Sequence, residues 1–297
     1  MTSLSGPDAR RYGTVFDEVA DEYDRTRPMY PDALVDRACE VAGLGYGDPV
    51  LEIGCGTGQL TRSLIARGLR VTAVEPGGNL IRLAGQNLAG TATGTGSGSG
   101  SGSVELVNAR FEDAALPSGY FRAAFSASAL HWVDPAVGWR KIAGALAAGG
   151  TLALLSYFGV DEPRSRDDQD AMLASIAKVA PDIAAGWPVY RDIDSTLAGV
   201  ERRRGNVSEV WAWLGSYDMA QDDAARLFGD VQVALVPKLV EQTASELNAT
   251  FRTMSYYARL SPSQREALAQ ECEAIYARLG RPVRASVVTA LVTARRT

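Results

Sequence analysis

The sequence predicts an α/β protein built on a Rossmann-like, doubly wound and mostly parallel sheet, with a helical insertion late in the chain. The apolar run VLEI at 50–53 leads directly into glycines at positions 54, 56 and 58, after which a helical pattern begins. This is the strand–turn–helix unit with which α/β folds approach a nucleotide-type ligand. Strand-like runs then alternate with helical patterns as far as residue 157, which is typical of a parallel sheet.

Length, composition and charge indicate a globular protein with a substantial core. The chain has 297 residues, of which 46% are hydrophobic and 22% charged. No apolar run approaches the length of a membrane span, and residues 1–13 contain no apolar signal core, so we expect a cytoplasmic protein with no membrane partner. The net charge of −5 argues against a nucleic-acid partner, which usually requires a basic face.

The cysteines indicate neither a metal site nor a disulfide framework. Cys39, Cys55 and Cys272 are odd in number and far apart, with no C-x-x-C pair and no zinc-ligand spacing. We therefore expect reduced thiols and no bound metal. The oligomeric state is left open by the sequence.

Two helices are predicted before the glycine turn. The first, over 14–24, places its apolar residues on one face and ends near Arg27, because a residue that precedes proline avoids the α region. The second begins with Asp32 as its expected cap and ends at Gly43.

The glycine turn distinguishes between classes of nucleotide ligand. Gly54 permits the tight turn, and Gly56 and Gly58 let a ligand approach bare backbone beside a helix N-terminus. Dinucleotide enzymes carry G-x-G-x-x-G, but here the third glycine comes one residue early, and Gln59 follows it. The acid Glu52, inside the strand, is a poor neighbour for a pyrophosphate and a good one for a ligand that carries an amino group.

The stretch 50–58 resembles motif I of the class I S-adenosylmethionine (SAM) dependent methyltransferases, of the small-molecule type found in the trans-aconitate and methyltransferase-11-like group. The resemblance implies SAM as cofactor and S-adenosylhomocysteine as product. It also implies that the β-rich run at 231–240 and the final run at 283–294 pair, so that the sheet ends in an antiparallel strand. The cofactor contacts that it implies here are Glu52, Gly54, Cys55, Gly56 and Gly58.

A second acid follows the second strand. Arg70 to Val74 forms that strand, which ends in Glu75 and Pro76, 21 residues after Gly54. A carboxylate at this strand tip accepts hydrogen bonds from ribose hydroxyls in Rossmann-type folds, so we expect Glu75 to bind the adenosine ribose, with Pro76 beside it. This position alone does not separate SAM from NAD, because both ligands carry that ribose.

Residues 90–103, GTATGTGSGSGSGS, interrupt the pattern between a helix at about 78–88 and the third strand at 104–107. Glycine alternating with serine or threonine cannot pack a core and behaves as a flexible linker. Because strand-like sequence resumes at once, we interpret the stretch as an expanded loop, natural or engineered, and expect it to be dispensable.

The later strand ends are expected to complete the cofactor site. By the resemblance, Phe111 lies against the adenine ring, and Glu112 or Asp113 accepts from its amine. The fourth strand, at about 121–127, brings Ser126 and Ala127 to the cofactor.

The acceptor side is predicted from the N-terminal segment and from the loop after the fourth strand. By the resemblance, Tyr23 and Arg27 cover the cofactor, with Arg27 pairing with its carboxylate. Tyr30 then shapes the acceptor pocket, together with Trp132 and Tyr157. The chain's one histidine, His131, is expected at the edge of this pocket. Its ordinary pKa suits a general base, and a pocket-lining role is the alternative.

These expectations divide the chain into four parts. Residues 1–47 form a helical gate, 48–157 the cofactor-binding core, 158–228 a helical lid over the acceptor, and 229–297 the completion of the sheet. Trp187, Trp211 and Trp213 in the lid either line the acceptor pocket or form the lid's own core.

The predicted function is methyl transfer from SAM to a small-molecule acceptor by in-line displacement, at a hydroxyl or a carboxylate. The chain contains no N/D-P-P-Y/F motif, which argues against DNA amino-methylation. Two alternatives stay open: a SAM-binding protein without methyl transfer, cyclase-like or regulatory, and, less favoured by the glycine spacing, an NAD-dependent oxidoreductase.

Overall fold

The computed structural model describes residues 15–90 and 102–297. In these residues one seven-stranded sheet organises the chain. Its strands are β1 (Pro49–Ile53), β2 (Arg70–Glu75), β3 (Ser103–Asn108), β4 (Phe121–Ala127), β5 (Leu146–Gly159), β6 (Phe228–Gln242) and β7 (Val283–Arg296).

The strand order is β3-β2-β1-β4-β5-β7-β6. Strands β1 to β5 pair in parallel, whereas β7 runs antiparallel to both β5 and β6. The order reverses between β1 and β4, which is the switch point where open α/β sheets keep their ligands. The doubly wound, mostly parallel sheet with an antiparallel last strand is therefore confirmed.

Helices cover both faces of the sheet and its carboxyl edge. Short 3₁₀ turns at Leu130–Trp132 and Tyr257–Arg259 supplement them. The helices are α1 (Val15–Glu18), α2 (Ala20–Thr26), α3 (Asp32–Ala42), α4 (Gln59–Ala66), α5 (Gly78–Leu88), α6 (Pro135–Ala145), α7 (Arg166–Val179), α8 (Pro181–Ala184), α9 (Ile193–Glu201), α10 (Val207–Gly215), α11 (Ala224–Leu227), α12 (Ala244–Arg252) and α13 (Pro262–Leu279). None of these helices is long and apolar enough to cross a membrane.

Three predicted boundaries differ from those observed. The first helix breaks at Val19, whose φ of −115° and ψ of 25° leave the helical region, so α1 and α2 replace one helix. Asp32 is not the cap of α3: Pro31 takes that position, and Asp32 instead pairs with Arg67 at 2.9 Å. The fifth strand is predicted from the apolar run TLALLSY at 151–157, but β5 begins at Leu146, before Gly149 and Gly150, because Leu146 already pairs with Phe121 at the start of β4.

Two apolar clusters pack against the sheet, and Trp211 belongs to one of them. Trp211 is fully buried with side chains of β1, β4, β5 and β7, together with Trp139 of α6. Trp211 does not line the cavity, so that alternative is wrong; it packs with insertion side chains such as Val207 and Val210, as a lid core requires, but in a cluster that they share with the sheet. The insertion is anchored to the main sheet.

A third apolar cluster forms a helical roof above the carboxyl edge of the sheet. It joins α7 and α8 of the insertion to α12 and α13, which lie between β6 and β7. The buried carboxylate of Asp168 pairs with Arg281 at 2.7 Å, and Ser165 Oγ donates to Ser286 Oγ at 2.8 Å. The roof therefore draws on residues 166–184 and on 244–279, a segment predicted only to complete the sheet.

The predicted expanded loop at 90–103 falls largely outside the described residues, and so does the start of the predicted gate, residues 1–14.

Candidate active site

One cavity of about 440 Å³ lies at the carboxyl edge of the sheet, under the roof. Gly54 and Gly56 reach it from β1, Glu75 from β2, Ala127 from β4, and Ser156 from β5. Its size is within the range of small-molecule sites, and it opens at the switch point of the strand order.

The three glycines of the turn have separate structural roles. All have positive φ, at 72° for Gly54, 57° for Gly56 and 93° for Gly58. A Cβ on Gly54 would lie 2.3 Å from the Cβ of Ala129, so this glycine permits the close approach of the loop after β4. Gly56 lines the cavity. Gly58 does not: a Cβ there would meet Leu88 of α5 at 3.3 Å, so its smallness serves helix packing rather than ligand access.

Glu75 connects the second strand to the glycine turn. Its two oxygens accept hydrogen bonds from the backbone N–H of Gly56 at 3.0 Å and of Gly77 at 2.9 Å. Burial raises the pKa of Glu75 above its usual range, while these two bonds oppose that shift. A carboxylate offers about four lone-pair sites, so two remain for a ligand in the cavity that Glu75 lines with Pro76.

Glu52 and Cys55 lie behind the cavity wall. Glu52 faces the same side of β1 as Val50, toward α3 and α4, and is 1% exposed. Burial, reinforced by the charge of Glu75, raises the pKa of Glu52 to about 8, so at pH 7 it is mostly a neutral acid. Neither Glu52 nor the buried Cys55 lines the cavity, which corrects the expected ligand contacts of both.

Phe111 and Glu112 line the end of the cavity beyond Glu75. Phe111 is buried, with Lys141 Nζ 5.4 Å from its ring centre. Glu112 Oε1 accepts from the backbone N–H of Asp134 at 3.0 Å and from Arg110 at 3.3 Å. Both Phe111 and Glu112 line the cavity, and their adenine contacts stay predictions.

Arg27 is a cation in the cavity wall without a counter-ion in residues 15–90 and 102–297. It lies 5.0 Å from the ring centre of Tyr23, which also lines the cavity, and it donates through Nη2 to the carbonyl of Thr253. Its buried Nε has no hydrogen-bond partner in the same residues. A half-buried guanidinium with a buried, unpartnered Nε favours an anionic ligand group beside it.

The gate helices are docked on both sides of the cavity. Asp17 Oδ1 accepts from the backbone N–H groups of Asn79 at 2.6 Å and Leu80 at 3.0 Å, at the start of α5. On the other side, Glu22 pairs with Arg252 of the roof at 3.3 Å. These contacts hold α1 and α2 over the cavity.

His131 stands at the acceptor end, in the 3₁₀ turn that also carries Trp132, and both line the cavity. Its ring stacks on Tyr217 with the centroids 4.3 Å apart and the planes 5° from parallel. Burial, aided by the charge of Arg27, lowers the pKa of His131 to about 3. The expectation that this pKa suits a general base near neutral pH is therefore wrong.

We expect the His131→Gln variant to keep its turnover within about threefold of wild type, because a group with so low a pKa is a poor base. Since the imidazole is already neutral above pH 4, the wild-type rate should show no inflection near pH 6.5. Steady-state kinetics from pH 5 to 9 test both statements, with S-adenosylhomocysteine affinity as the control for folding. A loss of about 10²–10⁴ together with a rate that falls below pH 6.5 would show a catalytic base.

Three further predicted site residues have different positions: Tyr157 lines the cavity, whereas Tyr30 and Ser126 do not. Tyr157 lines the cavity, stacks on Tyr30 with centroids 5.1 Å apart, and donates to the carbonyl of Met29 at 2.8 Å. Tyr30 does not itself line the cavity; its hydroxyl donates to Ser128 Oγ at 2.9 Å. Ser126 is fully buried and donates to the carbonyl of Ile53 at 2.9 Å, so it joins β4 to β1 instead of contacting a ligand.

Several cavity residues were not predicted from the sequence. Ser128 and Ser156 stand at strand ends, which is a usable positional signal. The sequence around Tyr217 and around the roof residue Tyr256 does not indicate a site, because only long-range packing brings these side chains to the cavity.

Comparison with known proteins agrees with this architecture. Residues 51–154 match the family model described as a methyltransferase domain. An uncharacterized methyltransferase of Mycobacterium tuberculosis is 33% identical over 140 residues, which is 47% of this chain and 51% of that protein. The chain therefore spans about half the length of the curated relatives it matches.

Two solved structures share the fold. A candidate type II methyltransferase from Anaeromyxobacter dehalogenans superposes with a TM-score of 0.56 and 22% identity, over 91% of this chain and 97% of that one. The cyclase SpnF superposes with a TM-score of 0.50 and 16% identity, over 97% and 96%. At these identities the likeness concerns the fold alone.

Proposed function

We propose that this chain, whose residues 51–154 match the methyltransferase-domain family model, transfers the methyl group of SAM to an oxygen of a small-molecule acceptor, with S-adenosylhomocysteine as product. The observation that carries the proposal is that one cavity is lined by bare backbone at Gly56, a carboxylate at Glu75 and a cation at Arg27. The membership in the trans-aconitate-like group stays a prediction.

The residues present fit SAM. Glu75 keeps lone pairs for a ribose diol, Gly56 has no side chain to exclude the ligand, and the unpartnered Nε of Arg27 suits a carboxylate. When bound, SAM supplies a methyl group on a sulfonium that is already a good leaving group. The chain's own residues then have to align the acceptor and exclude water.

We assign the exclusion of water to the gate and the lid. The docked helices α1 and α2 cover one side, and the insertion with the rest of the roof covers the other. Phe158, Trp187 and Tyr256 give the roofed part of the cavity a mostly apolar and aromatic lining, which suits a small organic acceptor rather than a polymer.

A carboxylate fits the acceptor position better than a hydroxyl. The acceptor oxygen forms the new O–CH₃ bond as the C–S bond breaks and leaves its electron pair on sulfur. A carboxylate loses no proton in this step, whereas an alcohol must lose one. A base would have to take that proton. The carboxylates among the described cavity residues, Glu75 and Glu112, already accept hydrogen bonds from backbone N–H groups, and His131, with its lowered pKa, is a poor base.

Binding and transfer test the proposal separately. Calorimetry should show that wild type binds S-adenosylhomocysteine and not NAD. Glu75→Ala should weaken that binding by about 1–3 kcal/mol, because ribose hydroxyls lose their partner. Glu241→Ala is the control, since Glu241 does not line the cavity: it lies half-exposed on the edge strand β6 and pairs with Arg284. Unchanged affinity in Glu75→Ala would contradict the assigned site.

For transfer, SAM labelled in its methyl group is incubated with carboxylic acids and with their matched alcohols and amines. We expect label in methyl esters. Binding of S-adenosylhomocysteine with no transfer to any acceptor would point to the alternative of a SAM-binding protein without this activity.

A further inference from the structure

Four hydroxyl groups form a continuous chain at the acceptor end of the cavity. Tyr30 Oη donates to Ser128 Oγ at 2.9 Å, Ser128 Oγ lies 3.2 Å from Ser156 Oγ, and Ser156 Oγ lies 3.3 Å from Tyr217 Oη. Its members come from the gate, the loop after β4, strand β5 and the insertion. We call Tyr30, Ser128, Ser156 and Tyr217 the hydroxyl chain.

The backbone at Ser128 is strained to make this arrangement. Ser128 has a φ of 53°, and the left-handed region costs a residue with a Cβ roughly 1–2 kcal/mol. Its backbone N–H donates to the carbonyl of Leu155 at 2.8 Å, which holds the strained residue beside β5. Strain of this kind is retained mostly at functional sites.

A count of hydrogens shows that the hydroxyl chain has one donor to spare. Three hydrogen bonds use three of its four hydroxyl hydrogens. Because Tyr30 donates to Ser128, the remaining hydrogen is on Ser128, Ser156 or Tyr217 in every possible arrangement. All three line the cavity. Whichever way the bonds run, the hydroxyl chain can therefore present one O–H to a ligand.

The surroundings of the hydroxyl chain favour an anion as that ligand. Neither carboxylate of the described cavity, Glu75 or Glu112, bonds to the hydroxyl chain, so the spare hydrogen has no charged partner within these residues. Burial raises the pKa of Tyr217 to about 12, so it stays protonated and serves as a donor instead of a base. An ammonium has no lone pair with which to accept the spare hydrogen.

We propose that the hydroxyl chain is the acceptor-binding part of the cavity and that its spare hydrogen is donated to the non-reacting oxygen of an acceptor carboxylate. This rests on the proposed function. The other carboxylate oxygen is then free to take the methyl group, with no proton released, as written above. Ser128, Ser156 and Tyr217 thereby become acceptor-binding residues, and Tyr30 a positioning residue that acts through Ser128.

The test uses the full chain with cinnamate and octanoate as probes, each beside its matched alcohol and amine. Loss of a single hydroxyl leaves a hydrogen to spare on another, so the decisive variant is Ser128→Ala/Ser156→Ala/Tyr217→Phe, which removes all three hydroxyls that line the cavity. Tyr30→Phe removes only the outer end of the hydroxyl chain. Hydrogen bonds to charged groups contribute about 1.5–3 kcal/mol, so the triple variant should raise the acid's KM roughly 10–100-fold, whereas Ser156→Ala or Tyr217→Phe alone should raise it less. Calorimetry of the acid on protein loaded with S-adenosylhomocysteine should show the same loss.

The controls separate binding from folding. Affinity for S-adenosylhomocysteine and the melting temperature should stay near wild type in these variants. Tyr120→Phe is the control variant. Tyr120 is exposed and directly precedes β4, at the edge of the sheet opposite the cavity, so the KM and the affinity should not change. Tyr30→Phe should give a smaller rise in KM, because Ser128 can reorient.

Each outcome has one meaning. If wild type methylates an acid and the triple variant keeps its KM, the hydroxyl chain is not the acceptor site, although the proposed function stands. If only alcohols or amines are methylated, the carboxylate assignment fails. If no acceptor is methylated although S-adenosylhomocysteine binds, the inference fails together with the proposed function.

Discussion

The Gly54→Ala variant should lose about 2–5 kcal/mol of unfolding free energy and its affinity for S-adenosylhomocysteine. The added Cβ would stand 2.3 Å from the Cβ of Ala129, closer than real Cβ atoms approach, and the φ of 72° is unfavourable for alanine. The backbone conformation costs roughly 1–2 kcal/mol and the overpacking roughly 1–3 kcal/mol. Domains are stable by only about 5–15 kcal/mol, so this is a large fraction.

Gly43→Ala is the matched control. Gly43 has a similar φ of 59°, but no atom lies within 4 Å of the position that a Cβ would take there, so only the backbone cost of about 1–2 kcal/mol should appear. Ala129→Gly in the Gly54→Ala background should restore part of the loss, because it removes the clash. Denaturant unfolding measures all three. Equal losses at positions 54 and 43 would show that the contact with Ala129 does not matter.

Local chemistry explains which elements could be predicted from the sequence. Ser261 and Gln264 form a capping box at the start of α13 with Pro262 at the first helical position, which the run S-P-S-Q at 261–264 indicates. Gly43 ends α3 in the left-handed conformation that a glycine there indicates. Such signals depend on neighbours within a few residues, and the fold class followed from them together with the glycine turn.

Long-range packing explains what could not be predicted. The pairing of Asp168 with Arg281 joins residues more than a hundred positions apart, and the roof depends on it. The depth of Glu52 follows from the helices that cover β1, and the pKa of His131 follows from burial and from Arg27. The sequence gives the residue type, but burial and neighbouring charges determine the pKa of its side chain.

The Arg27→Met variant should bind S-adenosylhomocysteine roughly 10–100-fold more weakly than wild type. Arg27 has a buried Nε without a partner in the described residues, and no carboxylate pairs with it there. A hydrogen bond to a charged group contributes about 1.5–3 kcal/mol, and methionine keeps the length and apolar stem while it removes the charge. Calorimetry gives the affinity directly, without an acceptor.

Two controls identify the anion that Arg27 meets. Arg25→Met changes an exposed arginine of the same helix, whose Nε donates to the carbonyl of Asp21, and should leave affinity unchanged. 5′-Methylthioadenosine keeps the adenosine and the sulfur but lacks the amino-acid carboxylate, so its affinity should be nearly equal in wild type and Arg27→Met. If both ligands weaken equally, Arg27 supports the site only by packing. If neither weakens, its charge is left for the acceptor, and the carboxylate probes should then lose affinity in Arg27→Met.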